Sequence, residues 1–206
     1  MDQFDELVRC YPVLLKCRQE FDDVVSALIK CFEANHRLYI IGNGGSASDA
    51  LHISGELVKS FILNRSLEKS FIKRLNNPEL VENLQGALPA IALVENTALS
   101  TAFANDCNPD YIYAQQIYAY AREGDCVIGI STSGNSKNII SGIETAKGRG
   151  AVSIGLTGKS GGKLKGLCDH CICVPEIETY KIQELHLPVY HAICLALEQH
   201  FWGKKV

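Results

Sequence analysis

The amino-acid sequence predicts an α/β protein with a doubly wound, five-stranded parallel sheet, helices on both faces and a helical extension at the N-terminus. Two observations lead to this prediction. Five short apolar segments alternate with segments of helical periodicity from residue 37 onward, and strands that are apolar throughout are typical of a parallel sheet covered on both faces. The 206 residues, 47% of them hydrophobic, suit one core. We therefore expect a single domain over 1–206, with a helical arm at 1–36 and an insertion at 64–86.

Charge and hydropathy exclude several classes of protein. The net charge is −3, the pI is near 6.1, and no long run of lysine and arginine provides the basic surface of a nucleic-acid-binding protein. No apolar stretch reaches the roughly 20 residues that a membrane span requires. The acidic start, MDQFDE, lacks the basic-then-apolar order of a secretory signal. We expect a cytoplasmic protein that binds neither nucleic acid nor membranes.

The nine cysteines do not indicate a disulfide framework, because their number is odd and most lie within apolar periodic segments. Cys168, Cys171 and Cys173, with Asp169 and His170, come closest to a cysteine-based metal site. Cys171 and Cys173 alternate with apolar residues as in a buried strand, and no second C-x-x-C pair occurs. Reduced, buried thiols are therefore favoured over a zinc cluster.

The N-terminal arm has helical periodicity. Apolar residues recur at three- and four-residue steps from Cys17 to Phe32, with polar residues on the opposite side. This pattern predicts an amphipathic helix of about 20 residues after Pro12. The helix either covers the sheet or packs on a second chain.

The rest of the chain alternates between strand and helix patterns. The predicted strands are Arg37–Ile41, Pro89–Leu93, Cys126–Ile130, Val152–Leu156 and His170–Val174. The predicted helices are Ser46–Leu63, Pro78–Gln85, Ala98–Ala104, Tyr111–Ala121, Ser136–Arg149, Gly161–Leu167 and Lys181–Trp202. A sheet of this kind binds ligands beyond the carboxyl ends of its strands.

Residues 64–86 interrupt this alternation with a polar insertion, in which only the helix from Pro78 is predicted. An insertion of this size after a long helix is a candidate lid or oligomerisation arm. Its basic residues are better explained as a solvated surface.

The first strand runs into the sequence GNGGSASDALHISGE, a glycine turn followed by a helix. Asn43, Gly44 and Gly45, with Ser46 placed to cap the helix, present backbone N–H groups and the positive helix end to an anion. The turn lacks the lysine of a Walker loop and the G-x-G-x-x-G spacing of a dinucleotide fold. It therefore predicts a phosphate site and argues against a nucleotide.

A second anion site follows the strand that ends at Ile130. Its sequence STSGNS supplies four hydroxyls at the start of a helix, from Ser131, Thr132, Ser133 and Ser136. A plain capping turn needs only one hydroxyl, so two such devices at neighbouring strand ends are more specific than either alone. The third loop, TGKSGG at 157–162, is explained by its glycines as an ordinary turn.

The helix after the glycine turn carries groups that can transfer protons. His52 and Glu56 are four residues apart and therefore share one face. An imidazole and a carboxylate so placed suit either acid–base chemistry or metal ligation.

The last predicted helix carries a second set of such groups. Gln183 and His191 are eight residues apart, so they lie roughly on one face and would meet the first pair across a shared pocket. Glu184 and His186 border that face, and spacing alone does not exclude them. Pro188 removes one backbone hydrogen bond from this helix and marks a candidate kink.

The sequences GNGGSASDA, ISTSGNS and GLTGKSGGKL, in this order, resemble the sugar isomerase (SIS) domain, a family of phosphosugar-binding α/β proteins. Within it the chain is most similar to the phosphoheptose isomerases, from about Arg37 to the C-terminus. The resemblance implies an SIS fold, a phosphorylated sugar as substrate, and aldose–ketose isomerisation of sedoheptulose 7-phosphate to a heptose 7-phosphate. The family habit, together with the extra N-terminal helix, implies a homotetramer.

The resemblance also implies roles for individual residues. Glu56 is expected to be the base and His191 the acid of a reaction through an enediol. One zinc ion per subunit is implied, with the ligands His52, Glu56, Gln183 and His191. The implied substrate-binding residues are Asn43, Gly44, Gly45, Ser46, Glu56, Asn105, Asp106, Ser131, Thr132, Ser133, Ser136 and Gln183.

The chain departs from the phosphoheptose isomerase pattern in three places. Ser60, next to Lys59, stands where many members have an arginine, Tyr180 stands where they have an aspartate, and the 64–86 insertion is longer. These differences affect substrate selection, so the substrate could be a different phosphosugar. Two further functions fit the same sequence features, namely a non-catalytic SIS module that binds a phosphosugar or a protein, and a lyase that uses the same base.

Overall fold

The computed structural model describes residues 2–203, and within this range it contains one five-stranded sheet and ten α-helices. The strands are β1 (Leu38–Gly42), β2 (Ala90–Ala92), β3 (Cys126–Ser131), β4 (Val152–Thr157) and β5 (His170–Cys173). The helices are α1 (Gln3–Cys10), α2 (Arg18–Glu33), α3 (Gly45–Val58), α4 (Lys69–Arg74), α5 (Pro78–Asn83), α6 (Thr97–Asp106), α7 (Ile112–Tyr120), α8 (Lys137–Gly148), α9 (Leu164–Leu167) and α10 (Thr179–Trp202). Met1 and residues 204–206 of the predicted domain lie outside the described range.

The strands are parallel and follow the order β2-β1-β3-β4-β5. The predicted fold class is therefore confirmed. The register pairs Gly42 of β1 with Ile130 of β3, and Ser131 of β3 with Thr157 of β4. The loops that follow these three strands consequently lie side by side at the carboxyl edge of the sheet.

The side chains of β1 and β3 alternate between two hydrophobic cores. Leu38 and Ile40 of β1 belong to the core that also contains buried residues of α1, α2, α3 and α10. Tyr39 and Ile41 belong to the core that contains buried residues of α7 and α8. Because both faces are covered, consecutive strand residues are apolar, and this makes the strands recognisable in the sequence.

The N-terminal arm consists of two helices joined by a 3-10 turn at Pro12–Cys17, where the sequence predicted one helix. The side chain of Asp2 caps α1 by accepting a hydrogen bond from the Phe4 backbone N–H. The rings of Phe4 and Phe21 are 5.0 Å apart, and both belong to the core beneath α3 and α10. The arm thus covers the sheet of its own chain.

The helix α3 ends at Val58, earlier than the predicted end at Leu63. The backbone N–H groups of Phe61, Ile62 and Leu63 donate instead to the carboxylate of Glu198 on α10, at 2.8, 2.9 and 3.0 Å. These bonds replace the helical pattern with a turn that is anchored far away in the sequence.

Glu198 is paired with Arg65, and both side chains are buried, with 1% and 0% of their surface exposed. Arg65 donates to the carbonyl oxygens of Glu56 and Leu57, which are among the last carbonyls of α3. Its guanidinium also lies 5.0 Å from the ring of Trp202. The Arg65–Glu198 pair therefore fixes the end of α3, next to Glu56, against α10.

The insertion at 64–86 lies at the edge of the sheet opposite the glycine turn. It leaves the end of α3 and returns where β1 and β2 begin, with the Gly86 N–H donating to the Arg65 carbonyl at 2.9 Å. Trp202 donates to the Ser66 carbonyl at 3.2 Å, which ties the insertion to the end of α10. This position does not suit a lid over the glycine turn. The predicted helix from Pro78 is present as α5, whereas α4 was not predicted.

The helix α10 continues through Pro188. Proline removes the helical hydrogen bond to the carbonyl four residues earlier, here that of Glu184, which is an exposed residue open to water. Gln183 and His191 therefore lie on one continuous helix.

All nine cysteines are free thiols. In the part of the chain from residue 2 to 203, no three His, Cys, Asp or Glu side chains come together as metal ligands, and this range includes the segment Cys168–Cys173. No helix in the same range is long and apolar enough to cross a bilayer.

His186 of α10 is fully buried, and in the described chain neither ring nitrogen has a hydrogen-bond partner. Burial lowers the pKa of His186 to about 4, and an interaction with the Thr157 backbone offsets this only in part. As the pH falls below the ordinary value near 6.5, the unfolded chain binds a proton at this residue and the native chain does not. Stability is therefore lost as the pH falls toward about 4.

We expect this residue alone to contribute a loss of about 3 kcal/mol in unfolding free energy between about pH 6.5 and 4. The measurement is the difference in urea unfolding between the wild type and His186→Leu at several pH values. The wild type alone is not sufficient, because burial also raises the pKa of Asp49 to about 6. Protonation of Asp49 stabilises the native chain as the pH falls over a similar range, and subtracting the His186→Leu values removes this contribution. A difference that does not change with pH would contradict this prediction.

Candidate active site

The glycine turn after β1 opens the N-terminus of α3 toward the carboxyl edge of the sheet. The helix begins at Gly45 with Gly44 as its N-cap, and no side chain caps it. The predicted capping role of Ser46 is therefore wrong, because backbone carbonyls of Asn43 and Gly44 already bond the N–H groups of Ser46 and Ala47. The N–H groups of Gly44 and Gly45 make no such bond within residues 2–203, so this end of the helix can still receive an anion.

The loop after β3 lies beside the glycine turn and ends in a similarly uncapped helix. Ser136 is the N-cap of α8, but its hydroxyl makes no capping bond and lies 3.0 Å from the Ser131 hydroxyl. Asn43 and Asn138 exchange two amide hydrogen bonds, of 2.8 and 2.9 Å, and so join the two loops. The two predicted phosphate-binding loops are thus adjacent.

The remaining hydroxyls of this loop belong to Thr132 and Ser133, which directly precede Gly134. A side chain at position 134 would force the backbone to shift. Gly134 has φ of 65°, and a Cβ placed on it would lie 2.1 Å from the Gly161 carbonyl oxygen. The third loop is thereby packed directly on the second. Gly161 and Gly162 both have positive φ, so α9 begins only at Leu164 and not at the predicted Gly161.

The helices α3 and α10 both follow strands and run side by side in the same direction. A Cβ placed on Gly45 would lie 2.6 Å from Nε2 of Gln183, so this side chain packs on bare backbone at the glycine turn. One to two turns further on, His52 Nδ1 lies 3.0 Å from the Tyr190 hydroxyl. The structure therefore brings the predicted residues of α10 against those of α3.

His52, Glu56 and His191 form one cluster. His52 Nε2 lies 3.4 Å from Glu56 Oε1, and the His52 and His191 rings are 4.9 Å apart and nearly perpendicular. The Glu56 side chain is 14% exposed and that of His52 is 42% exposed. Burial and the neighbouring His52 lower the pKa of His191, against the opposing effect of Glu56.

Two atoms of this cluster are buried and unpaired. Within residues 2–203, neither Glu56 Oε2 nor His191 Nε2 has a hydrogen-bond partner. Unpaired buried polar atoms are costly, and they are retained where a ligand or a reaction uses them. The charged group nearest in sequence is Lys59, beside the position where the family has arginine; its Nζ lies 3.8 Å from Glu56 Oε2, beyond hydrogen-bond distance, and its side chain is exposed.

The nitrogen and oxygen atoms of this cluster can be compared with the ligands that metal ions prefer. Imidazole nitrogen and carboxylate oxygen are common zinc ligands, and two such atoms here lack a hydrogen-bond partner within residues 2–203. The donor chemistry of His52, Glu56 and His191 therefore fits zinc, although in the described range no three such side chains are arranged as a metal site. Gln183 packs on Gly45, about two helical turns before His52, so within this chain its amide lies apart from the other three groups.

Asn105 and Asp106 lie at the C-terminal end of α6, and both are exposed. Asn105 Nδ2 donates to Asp106 Oδ1 at 2.8 Å. The following 3-10 turn contacts α8, since Ser141 donates to the Asp110 carbonyl. The role of Asn105 and Asp106 in substrate binding stays a prediction.

Three further residues surround the cluster and were not found from the sequence. Tyr190 bonds His52, Asp49 lies 3.4 Å from the Tyr190 hydroxyl, and the ring of Phe61 lies 5.4 Å from that of His191. Asp49 precedes His52 by three residues, and this spacing is a signal that could have indicated it. Tyr190 lies among apolar residues of α10 and gives no comparable signal.

Comparison with known proteins identifies relatives over most of the chain. A family model described as the SIS domain matches residues 13–158. The phosphoheptose isomerase of Aneurinibacillus thermoaerophilus is 39% identical over 184 residues, covering 89% of this chain and 83% of that protein. The phosphoheptose isomerase of Trichlorobacter lovleyi is 40% identical over 181 residues, covering 88% and 82%.

The fold is shared as well. The structure of phosphoheptose isomerase from Neisseria gonorrhoeae superposes with a TM-score of 0.75 at 30% identity, and the alignment covers 95% of each chain. The likeness to these enzymes therefore includes the sequence over nearly the whole chain and not the fold alone. The chain therefore belongs to the SIS-domain family and, within it, to the phosphoheptose isomerase family of enzymes.

Proposed function

We propose that this protein interconverts an aldose and a ketose phosphate, with sedoheptulose 7-phosphate as the ketose and a heptose 7-phosphate as the aldose. The observation that carries the proposal is the pair of buried, unpaired atoms, Glu56 Oε2 and His191 Nε2, which lie in one cluster with His52 within residues 2–203. A carboxylate and an imidazole are the base and the acid that such a reaction requires. The names of the related enzymes support a phosphorylated heptose as the substrate, and the family resemblance implies sedoheptulose 7-phosphate.

The phosphate is proposed to bind at the carboxyl edge of the sheet. Uncapped N-termini of α3 and α8 meet there, and each supplies backbone N–H groups and a positive helix end. The implied contacts are Asn43, Gly44, Gly45, Ser46, Ser131, Thr132, Ser133 and Ser136. Anchoring at this edge lets the sugar extend along α3 toward Glu56, which lies about 15 Å along the helix axis from Ser46.

The proposed reaction needs only two protein groups. Glu56 removes a proton from C1 of the ketose while His191 passes a proton to the carbonyl oxygen on C2, which gives an enediol. Glu56 then returns its proton to C2, and His191 takes a proton from the oxygen on C1 to leave the aldehyde. No atom is gained or lost by the substrate.

Zinc, if bound by His52, Glu56 and His191, would polarise the carbonyl and stabilise the negative charge of the enediolate. Ligation would occupy the same carboxylate oxygens that take up the proton. The Glu56 side chain must therefore keep one oxygen for the substrate carbon. A homotetramer in the cytoplasm is proposed on the family habit and on the exposed apolar residues around α3, which include Val58 and Ile62.

The proposal is tested by incubating the protein with sedoheptulose 7-phosphate in deuterated water and recording NMR spectra, after elemental analysis for zinc. Isomerisation predicts a heptose 7-phosphate that carries deuterium at C2 and has lost no substituent. Loss of a substituent would favour a lyase. Binding of several ketose phosphates without any product would favour a non-catalytic module and overturn the proposal.

A further inference from the structure

A buried tyrosine links two side chains of α3 beside the active site. The hydroxyl of Tyr190, a residue only 2% exposed, lies 3.0 Å from His52 Nδ1 and donates to Asp49 Oδ1 at 3.4 Å. Asp49, His52 and Glu56 follow each other at three and four residues, so they form one row that faces α10. The contacts therefore run from Asp49 through Tyr190 and His52 to Glu56.

The direction of these hydrogen bonds follows from counting protons. A phenol has one proton to donate, and an ionised carboxylate can only accept. With the Tyr190 proton given to Asp49, the Tyr190 oxygen is free to accept the Nδ1–H of His52. The other ring nitrogen, Nε2, then presents a lone pair toward Glu56 Oε1, 3.4 Å away.

This arrangement collects acceptors around one point. His52 Nε2 and Glu56 Oε1 face each other, and in the described chain Glu56 Oε2 and His191 Nε2 have no protein donor. Facing lone pairs repel unless a cation or a mobile proton lies between them. The ring orientation of His52 thus decides whether the cluster is able to hold such a charge.

We propose that Tyr190, held by Asp49, is a positioning residue that fixes His52 in the Nδ1–H tautomer and directs its Nε2 lone pair toward Glu56 and His191. The inference rests on the proposed function for its catalytic meaning, but the tautomer itself can be measured without turnover. Neither Asp49 nor Tyr190 is among the residues that the family resemblance implies.

The first test is ring-nitrogen NMR of the full-length, metal-free protein with labelled histidine, in mildly alkaline buffer where imidazole is neutral. We expect the Nδ1–H form of His52 in the wild type. Tyr190→Phe keeps the buried ring and removes only the hydroxyl, so His52 should change to the Nε2–H form, which donates to Glu56. Tyr118→Phe, on an exposed residue of α7, is the matched control and should leave the signal unchanged.

Asp49→Asn provides a second variant that does not alter the packing of α10. An amide can donate to the Tyr190 oxygen as well as accept from it, so the phenol proton is no longer committed to residue 49 and the population of the Nε2–H form of His52 should rise. Wild-type signals for His52 in both Tyr190→Phe and Asp49→Asn would overturn the inference.

The second test is zinc affinity, measured by competition with a coloured chelator. Removing an outer partner of a metal-binding imidazole lowers affinity by about 10–100-fold, and we expect a loss of this size in Tyr190→Phe and none in Tyr118→Phe. Unchanged affinity in Tyr190→Phe would count against the inference and leave the isomerase proposal standing. If the His52 tautomer changes in these variants as expected but the wild type isomerises no sugar phosphate, only the proposed function is rejected.

Discussion

Glu56→Gln is expected to lower kcat for ketose phosphate isomerisation by about 10²–10⁴-fold, the contribution of a general base. The amide keeps the size of the side chain but cannot take up the proton from the sugar carbon. Substrate affinity should change little, because the proposed phosphate site lies at the other end of α3. Steady-state kinetics together with calorimetric binding of sedoheptulose 7-phosphate measure both quantities.

Glu184→Gln is the matched control for this change. Glu184 is an exposed residue of α10, only one position from the proposed ligand Gln183, and spacing alone does not exclude it from the site. We expect its kcat to equal that of the wild type. His191→Ala should lose activity as Glu56→Gln does, whereas His200→Ala, at the exposed end of α10, should not. Full activity in Glu56→Gln would remove the proposed mechanism.

Glu198→Gln is expected to lower the free energy of unfolding by about 3–5 kcal/mol, the cost of breaking a buried ion pair. The change leaves the Arg65 charge buried without its partner. Burial acts to raise the pKa of Glu198, but hydrogen bonds from three backbone N–H groups and from Arg65 outweigh burial and hold this pKa below its ordinary value. The carboxylate is thus the form that the fold requires. Urea unfolding at neutral pH provides the measurement.

Lys181→Met is the control for the ion-pair prediction. Lys181 pairs with Glu178 on the surface of the same helix, and exposed pairs contribute little to stability. We expect its unfolding midpoint to match that of the wild type. Equal midpoints for Glu198→Gln and the wild type would show that the turn after α3 is held by other contacts.

The strands and the two anion loops could be predicted because their signals are local. A strand covered on both faces is apolar at every position, and the glycines and hydroxyls that follow it are consecutive in the sequence. The early end of α3 could not be predicted in this way, because Phe61 and Leu63 fit a helix locally and are held instead by Glu198. α1 was missed since its apolar contacts to the core, Phe4 and Leu7, are few.

The candidate site also contains residues that local spacing predicts and residues that only the packing of helices brings together. His52 and Glu56 share a helix face by their spacing, and the family resemblance pairs them with Gln183 and His191. That Tyr190 reaches His52 depends on how two helices pack, and no pattern within either helix encodes this distance. Spacing does not exclude His186 from the site, but the structure buries it completely beside the Thr157 backbone, whereas His52 and His191 keep part of their surface exposed.

The helix α3 contacts α10 at three levels, at Gly45, at His52 and after Glu56. These contacts restrict the motion of one helix relative to the other. Two helices that are joined at both ends and in the middle move as one body, so their packing maintains the distances among His52, Glu56 and His191. Opening has to come from segments with little buried contact, and α6, which has no buried residue, is the element at this edge best able to yield.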